Sequence, residues 1–313
     1  DPSRRMQFVG VDGALSELQP VVSGVPQGTV LGPVLFLVHI MGLCSDLSPG
    51  TASSSFADDT RIWRGVKTTE DCAALQGDLE TVYAAADHIN MVFNSKKFEW
   101  LRYIPGTSQA PSFQYTAPDS SDIPLKTELR DLGVRMSTDL TFDLQVEKVV
   151  ATASQMAGWG LRTFRTRGRC LIMHLLKSLV QPHLDYCSQL WSPSSQHLIN
   201  QLEGVQKSLI TKIWDNQLKQ MDYWDKLQHL RLYSQERRRE RYQVIFIWKI
   251  SQGLVSGYKI PFTHNDRTGR WAVPAEVPHH NVPGNVKLAK LNSLRVRGCQ
   301  LFNLLPAVLR SAD

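Results

Sequence analysis

Ser53-Ser54-Ser55-Phe56-Ala57-Asp58-Asp59-Thr60-Arg61-Ile62-Trp63 is the stretch on which the fold reading turns. The flanks are strand-like, and two adjacent carboxylates sit between them. That order predicts a β-hairpin with Asp58-Asp59 at its turn. Adjacent like charges repel, so such a pair is kept where cations lie between them or water surrounds them. A rigid turn lets both side chains reach divalent metal ions; a plain solvated turn with two acids is the alternative.

Upstream, residues 5–22 alternate loosely around Asp12-Gly13, a hairpin signal leading to Val21-Val22. After the turn Ser23-Gly24-Val25-Pro26-Gln27-Gly28, a helix is expected to open at Gly28. Pro33 falls in its first turns, and Val34, Leu35, Leu37, Val38, Ile40 and Met41 give it a buried, apolar character. Downstream, Thr68-Thr69-Glu70-Asp71 is a helix start, with a hydroxyl cap and acids in the first turn. Leu75, Leu79, Val82, Ala86, Ile89 and Phe93 follow at helical spacing. Asn94–Tyr103 reads as strand, and Pro105–Pro124 as a polar loop rich in Pro and Ser.

From about residue 143 the pattern turns helical. Leu198, Leu202, Val205, Leu209 and Ile213 mark one face, and Ser234 caps a helix that runs to Gly253. Residues 256–290 read as loop-rich, His279-His280 included, and Leu301–Pro306 as a segment that docks on something apolar. Trp214, Trp224 and Trp248 fall on apolar helical positions and are expected in the core. The fold class is therefore α+β: an antiparallel sheet with helices, then a helical region.

The chain has 313 residues, long enough for two domains, and its 42% hydrophobic and 20% charged content indicates an ordered globular protein. Residues 1–150 hold 12 Lys+Arg against 19 Asp+Glu, whereas residues 151–313 hold 23 against 10. An acidic half with a carboxylate pair followed by a basic half suits metal-dependent work on a polyanion, or two ordinary domains with different surfaces. The five cysteines are scattered without a Cys-x-x-Cys pair, which argues for reduced thiols and against a zinc knuckle. The longest apolar run, Val30–Cys44, is interrupted and too short for a bilayer, and a signal peptide is not seen, so no membrane partner is expected.

Ser23-Gly24-Val25-Pro26-Gln27-Gly28-Thr29-Val30-Leu31-Gly32-Pro33 and Phe56-Ala57-Asp58-Asp59 together resemble motifs B and C of the reverse transcriptases of non-LTR (LINE-type, jockey-like) retrotransposons. Phe93–Glu99 is similar to the family's motif D, and Leu132-Gly133-Val134 to its motif E strand before the thumb. Gln181–Cys187 through Trp191-Ser192-Pro193, Leu232–Tyr242 and Gly298–Pro306 resemble segments found downstream of the palm. Nearly the whole chain is covered by these likenesses.

The resemblance implies an RNA-directed DNA polymerase: a partial right-hand palm over residues 1–140, a helical thumb over 141–215 and a basic C-terminal region over 216–313. It implies Mg²⁺, or Mn²⁺, as cofactor, and an RNA template, a DNA primer and dNTP as partners, in the nucleus or cytoplasm. Asp58 is then the metal-coordinating catalytic residue and Asp59 its support. Gly24, Pro26, Gln27 and Gly28 lie against template or nucleotide. Phe56 packs beneath the turn near the primer terminus, a purely core role being equally open. Lys97, or its neighbour Lys96, stands near the pyrophosphate leaving group, unless both are a solvated helix end. Arg162, Arg165, Arg167 and Arg169 contact phosphates. Arg237, Arg238, Arg239 and Arg241 alternate with Glu236 and Glu240, for which a salt-bridged face is the stronger reading.

One departure stands out. The family's third carboxylate, in motif A, has no counterpart in residues 1–22, where Asp1 and Asp12 lie in other contexts. The expectation is a polymerase piece, lacking the fingers and the rest of the N-terminal half, that is inert alone. The alternative is a non-catalytic nucleic-acid-binding remnant or host-retained protein.

Overall fold

The computed structural model describes residues 5–21, 24, 28–103, 111–255, 263–265, 270–272 and 293–306. The chain forms two compact units, Asp1–Phe98 with Ala110–Pro124, and Glu99–Gln109 with Leu125–Asp313.

In the first unit, β1 (Met6–Gln7) pairs antiparallel with β4 (Gln19–Pro20), and β2 (Gly10–Val11) with β3 (Ala14–Leu15). The hairpin turn falls at Asp12-Gly13, both with positive φ, as the sequence predicts. Helix α1 spans Gly32–Ile40, so it opens four residues after Gly28, where the Thr29 hydroxyl accepts from the Gly32 amide at 3.1 Å. Its expected burial holds for Ile40, 8% exposed, but not for the others. Val34, Leu35, Leu37, Val38 and Met41 are 51–81% exposed, and Leu37, Val38 and Met41 line an open pocket with Ser53–Ser55.

Strands β5 (Thr51–Phe56) and β6 (Asp59–Arg64) form the predicted carboxylate hairpin. Helix α2 (Thr69–His88) begins with a reciprocal cap, Thr68 accepting from the Asp71 amide and Asp71 from the Thr68 amide. Val82 and Ala86 of α2 pack with Leu43 and Ile62. Tyr83, Phe93 and Phe98 meet edge-on with centroids 5.6–5.8 Å apart, which holds the chain after α2 close to that helix. The last turn, Ser95–Lys97, is 3₁₀, so the strand expected over Asn94–Tyr103 is reduced to Trp100–Leu101. Within the loop expected over Pro105–Pro124, residues 111–124 lie against α2. Tyr115, Ala117 and Ile123 are buried, and Gln76 binds both the amide and the carbonyl of Thr116.

The second unit opens with β7 (Trp100–Leu101) parallel to β8 (Leu125–Lys126) and a hairpin of β9 (Glu128–Asp131) with β10 (Val134–Ser137). Then follow α3 (Asp143–Thr163), α4 (Arg169–Leu175), a π turn over Leu176–Val180, α5 (Gln181–Asp185), α6 (Ser188–Trp191) and α7 (Gln196–Ile210). The π turn precedes Pro182, whose missing N–H breaks a regular ladder. The predicted apolar face of α7 is the core: Leu198, Leu202, Val205, Leu209 and Ile213 pack on Val146, Val149, Ala153 and Ala157 of α3. Short helices α8 (Asn216–Gln220) and α9 (Tyr223–Leu230) lead to α10 (Gln235–Ser251), capped by Ser234 as expected. Strands β11 (Thr263–Asn265) and β12 (Arg270–Ala272) pair, and after a second π turn α11 (Cys299–Asn303) docks Phe302 against Ile247 and Ile250. His279-His280 lies outside the described residues.

Two of the downstream stretches that carry the resemblance pack on each other. Arg238 donates through Nε and Nη2 to Asp185 at 2.9–3.0 Å, Tyr242 adds a bond to the same carboxylate, and Gln181 and Gln235 exchange side-chain bonds. The tryptophan expectation needs correcting. Trp248 does pack, half-buried, on the Ile247 and Ile250 cluster, but Trp214 is 70% and Trp224 63% exposed. Among the described residues Trp191 is the fully buried one, its indole N–H donating to the Tyr186 carbonyl.

Candidate functional site

The hairpin fixes where the carboxylates stand. Phe56 pairs with Asp59, which leaves Ala57-Asp58 as a two-residue turn. Ala57 takes φ of +51°, the left-handed region that tight hairpin turns demand. Side chains alternate across the ribbon. One face carries Thr51, Ser53, Ser55, Thr60, Ile62 and Arg64, and Ile62 packs with Leu43 and Val82. The other face carries Ala52, Ser54, Phe56, Asp59, Arg61 and Trp63, all exposed. Asp58 at the apex and Asp59 beside it are therefore both open to solvent. Phe56 is 65% exposed, so it does not pack beneath the turn: its register puts it on the outer face with Asp59.

The opposite end of the hairpin is tied down by residues that the sequence reading did not single out. Asp78, on α2 and 4% exposed, accepts from the Ser48 amide at 2.7 Å, the Ser48 hydroxyl at 2.8 Å and the Thr51 hydroxyl at 2.5 Å. Arg64, paired with Thr51 across the ribbon, donates to the Thr51 and Ser48 hydroxyls and to the Pro49 carbonyl, with its guanidinium 3.9 Å from the Asp78 carboxylate. Burial opposes ionisation of Asp78. The bonds from Thr51 and Ser48, with the Arg64 charge, outweigh it and hold the carboxyl below its ordinary range. The signal was present in the sequence: Asp78 occupies an inward position between Leu75 and Val82 on an otherwise apolar stripe.

The other candidates are placed as follows. Gly24 and Gly28 both adopt positive φ, +86° and +76°, the turn geometry their pairing suggests. Pro26 and Gln27 lie outside the described residues. Lys97 is exposed at the end of the 3₁₀ turn, and Asn94 caps that turn through the Lys96 amide. In the second unit, Arg162, Arg165 and Arg169 are exposed, but Arg167 turns inward and donates to the carbonyls of Leu161, Phe164 and Thr166. Within 237–241, Arg238 bonds Asp185, Arg239 is buried, and Glu240 meets Arg297 at 3.5 Å.

Carboxylate oxygens are the donors that Mg²⁺ and Mn²⁺ prefer, so the donor type of the hairpin fits. The donor number does not: among the described residues no group of three His, Cys, Asp or Glu side chains converges as a metal site. Asp58 and Asp59 amount to part of a site. Also among the described residues, no helix is long and apolar enough to cross a membrane.

Comparison with known proteins agrees with the motif resemblance. The chain is similar to the RNA-directed DNA polymerase from mobile element jockey of Drosophila melanogaster, 24% identical over 223 residues, which are 67% of this chain and 24% of the relative. The corresponding protein of Drosophila funebris is 23% identical over 215 residues, 66% of this chain and 23% of that relative. The matched span is thus about a quarter of the length of these relatives. No family model and no solved structure matches the chain.

Proposed function

We propose that this chain supplies the carboxylate hairpin of an RNA-directed DNA polymerase of the non-LTR retrotransposon kind. The observation that carries the proposal is Asp58: an exposed carboxylate at the apex of a two-residue turn, on a ribbon whose far end is locked by Asp78 and Arg64. In this reading residues 1–140 are part of a palm, 141–215 a thumb and 216–313 a C-terminal extension. RNA template, DNA primer and dNTP are the substrates. Asp58 gives a ligand oxygen, and Asp59 adds negative potential beside it. When bound, Mg²⁺ or Mn²⁺ supplies the charge that activates the primer hydroxyl and steadies the phosphate under attack.

The chain's own groups do the positioning. Gly24 and Gly28 let the main chain approach the base pair, with Pro26 and Gln27 between them, and Lys97 offers a cation toward the leaving pyrophosphate. Phe56, exposed on the Asp59 face, presents its ring to the primer end. Two carboxylates without bound nucleotide phosphates hold a divalent cation weakly. The remaining ligand, and the surface that grips template and nucleotide, therefore come from outside these residues, and the chain alone is inert. That same shortfall of ligands favours a second reading, a nucleic-acid-binding protein without catalysis.

Primer extension on an RNA template with a DNA primer and Mg²⁺, by the chain and by Asp58→Asn, tests the proposal. Neither folded protein is expected to incorporate nucleotide. Incorporation that Asp58→Asn abolishes would overturn the inert state and fix the role of Asp58. Incorporation that survives Asp58→Asn would overturn the hairpin assignment.

A further inference from the structure

We propose that Trp214 is a base-stacking platform for single-stranded nucleic acid, set among the arginines of residues 162–169. Trp214 follows Ile213, which is 2% exposed in the core, yet its own side chain is 70% exposed. Its place is fixed by the main chain: the Trp214 amide donates to the Arg167 carbonyl at 2.8 Å. Arg167 in turn holds its loop in shape, with Nη2 bonding the Leu161 carbonyl at 2.6 Å and Nη1 the Thr166 carbonyl at 2.9 Å. Arg169 bonds the His229 carbonyl at 3.2 Å and so ties the same loop to the end of α9, the helix that carries exposed Trp224.

The charge of this loop is one-sided. Residues 159–170 contain four arginines and no acid, and Arg162 and Arg165 are exposed. Asp215 and Asp222 cap α8 and α9, accepting from the Gln217 and Asp225 amides at 2.9 and 2.8 Å, and with exposed Asp225 they are the acids that oppose these arginines. An exposed indole anchored to an arginine loop joins the two elements of sequence-tolerant single-strand recognition, a π face for a base and cations for the flanking phosphates. Trp191 shows the contrast, since this chain buries a tryptophan wholly where it serves the core. The inference rests on the reading that the basic half meets nucleic acid, and adds the residue that holds a base.

Fluorescence anisotropy of labelled single strands of about 12 nucleotides, a length within the usual span of such sites, tests it. The strands are oligo(U) and oligo(dT), with an RNA–DNA duplex beside them. The proteins are the full chain, Trp214→Ala, Trp214→Phe and Arg165→Gln, each checked for an unchanged urea transition. Trp214→Ala is expected to weaken single-strand binding about tenfold with an unchanged salt slope, and Trp214→Phe to restore most of it. Arg165→Gln is expected to lower the salt slope by about one. Single-strand binding equal in Trp214→Ala and the parent chain would overturn the inference alone. No binding of any strand by the parent chain would overturn the nucleic-acid reading of the basic half and this inference with it.

Discussion

Thr51 Oγ1 donates to Asp78 Oδ2 across 2.5 Å and joins the first residue of the carboxylate hairpin to a buried position on α2. A two-stranded ribbon is marginal in water by itself. Here its open end is bonded to a helix, and Ile62 packs with Val82 of that helix. The apex that carries Asp58 is thereby held at one place relative to α2.

Asp78→Ala removes the acceptor of three hydrogen bonds and leaves Arg64 with Asp71, 3.9 Å from its Nε, as its remaining counter-charge. The expected loss is about 3 kcal/mol in the unfolding of the first unit, as for several hydrogen bonds to a buried carboxylate lost together. Urea denaturation followed by far-UV circular dichroism measures it; a loss below about 1 kcal/mol, the scale of a single ordinary hydrogen bond, would mean that the network does not hold the hairpin.

Acid should act through the same residue. The folded carboxyl of Asp78 lies below the ordinary value of 3.8, so its contribution is complete above that value and disappears as pH falls through the lower, folded one. Urea stability of the parent chain is expected to fall below about pH 4 more steeply than that of Asp78→Asn, and the two pH profiles should run parallel toward neutrality.

Arg239 predicts the opposite sign. It is 2% exposed, its Nε and Nη2 have no hydrogen-bond partner, and burial pushes its pKa down to about 10 despite the charges of Glu203 and Glu236. Arg239→Met keeps the length and apolar contacts without the desolvated charge. Its effect should lie between neutral and about 2 kcal/mol stabilising, read from the urea transition of the second unit.

Gly133 forms the β9–β10 turn with φ of +87°, and a Cβ there would meet the Tyr186 ring at 3.4 Å. The Tyr186 hydroxyl also donates to the Leu132 carbonyl at 2.7 Å, but Tyr186 is 54% exposed and the contact an ordinary one, so the cost comes from the backbone conformation. Gly133→Ala should cost about 1–2 kcal/mol, measured as a shift in urea midpoint at constant slope.

The hairpin, the capped start of α2, the α7 face and the Ser234 cap were legible in the sequence because each is set by local chemistry: period, turn residues and caps. Burial was less legible. Hydropathy shows that Leu37 and Met41 are apolar, but exposure depends on what lies opposite them, and with Ser53–Ser55 they line only an open pocket. Trp214 shares the difficulty, since a tryptophan at the end of an apolar face looks the same whether the chain folds over it or leaves it open. Asp78 could have been found, as a charge on an inward stripe, but its partners Ser48 and Arg64 lie 30 residues and 14 residues earlier in the chain and come together only in the fold.

The most direct test of the account is paramagnetic broadening by Mn²⁺ of the backbone amide NMR signals of the whole chain, which senses weak and partial binding. Broadening is expected to centre on Ala57–Thr60 and to be lost in Asp58→Asn, with the interior signals of α2 unchanged in both proteins. Hairpin signals that stay sharp, or that broaden equally in Asp58→Asn, would contradict the assignment of Asp58 as a metal ligand.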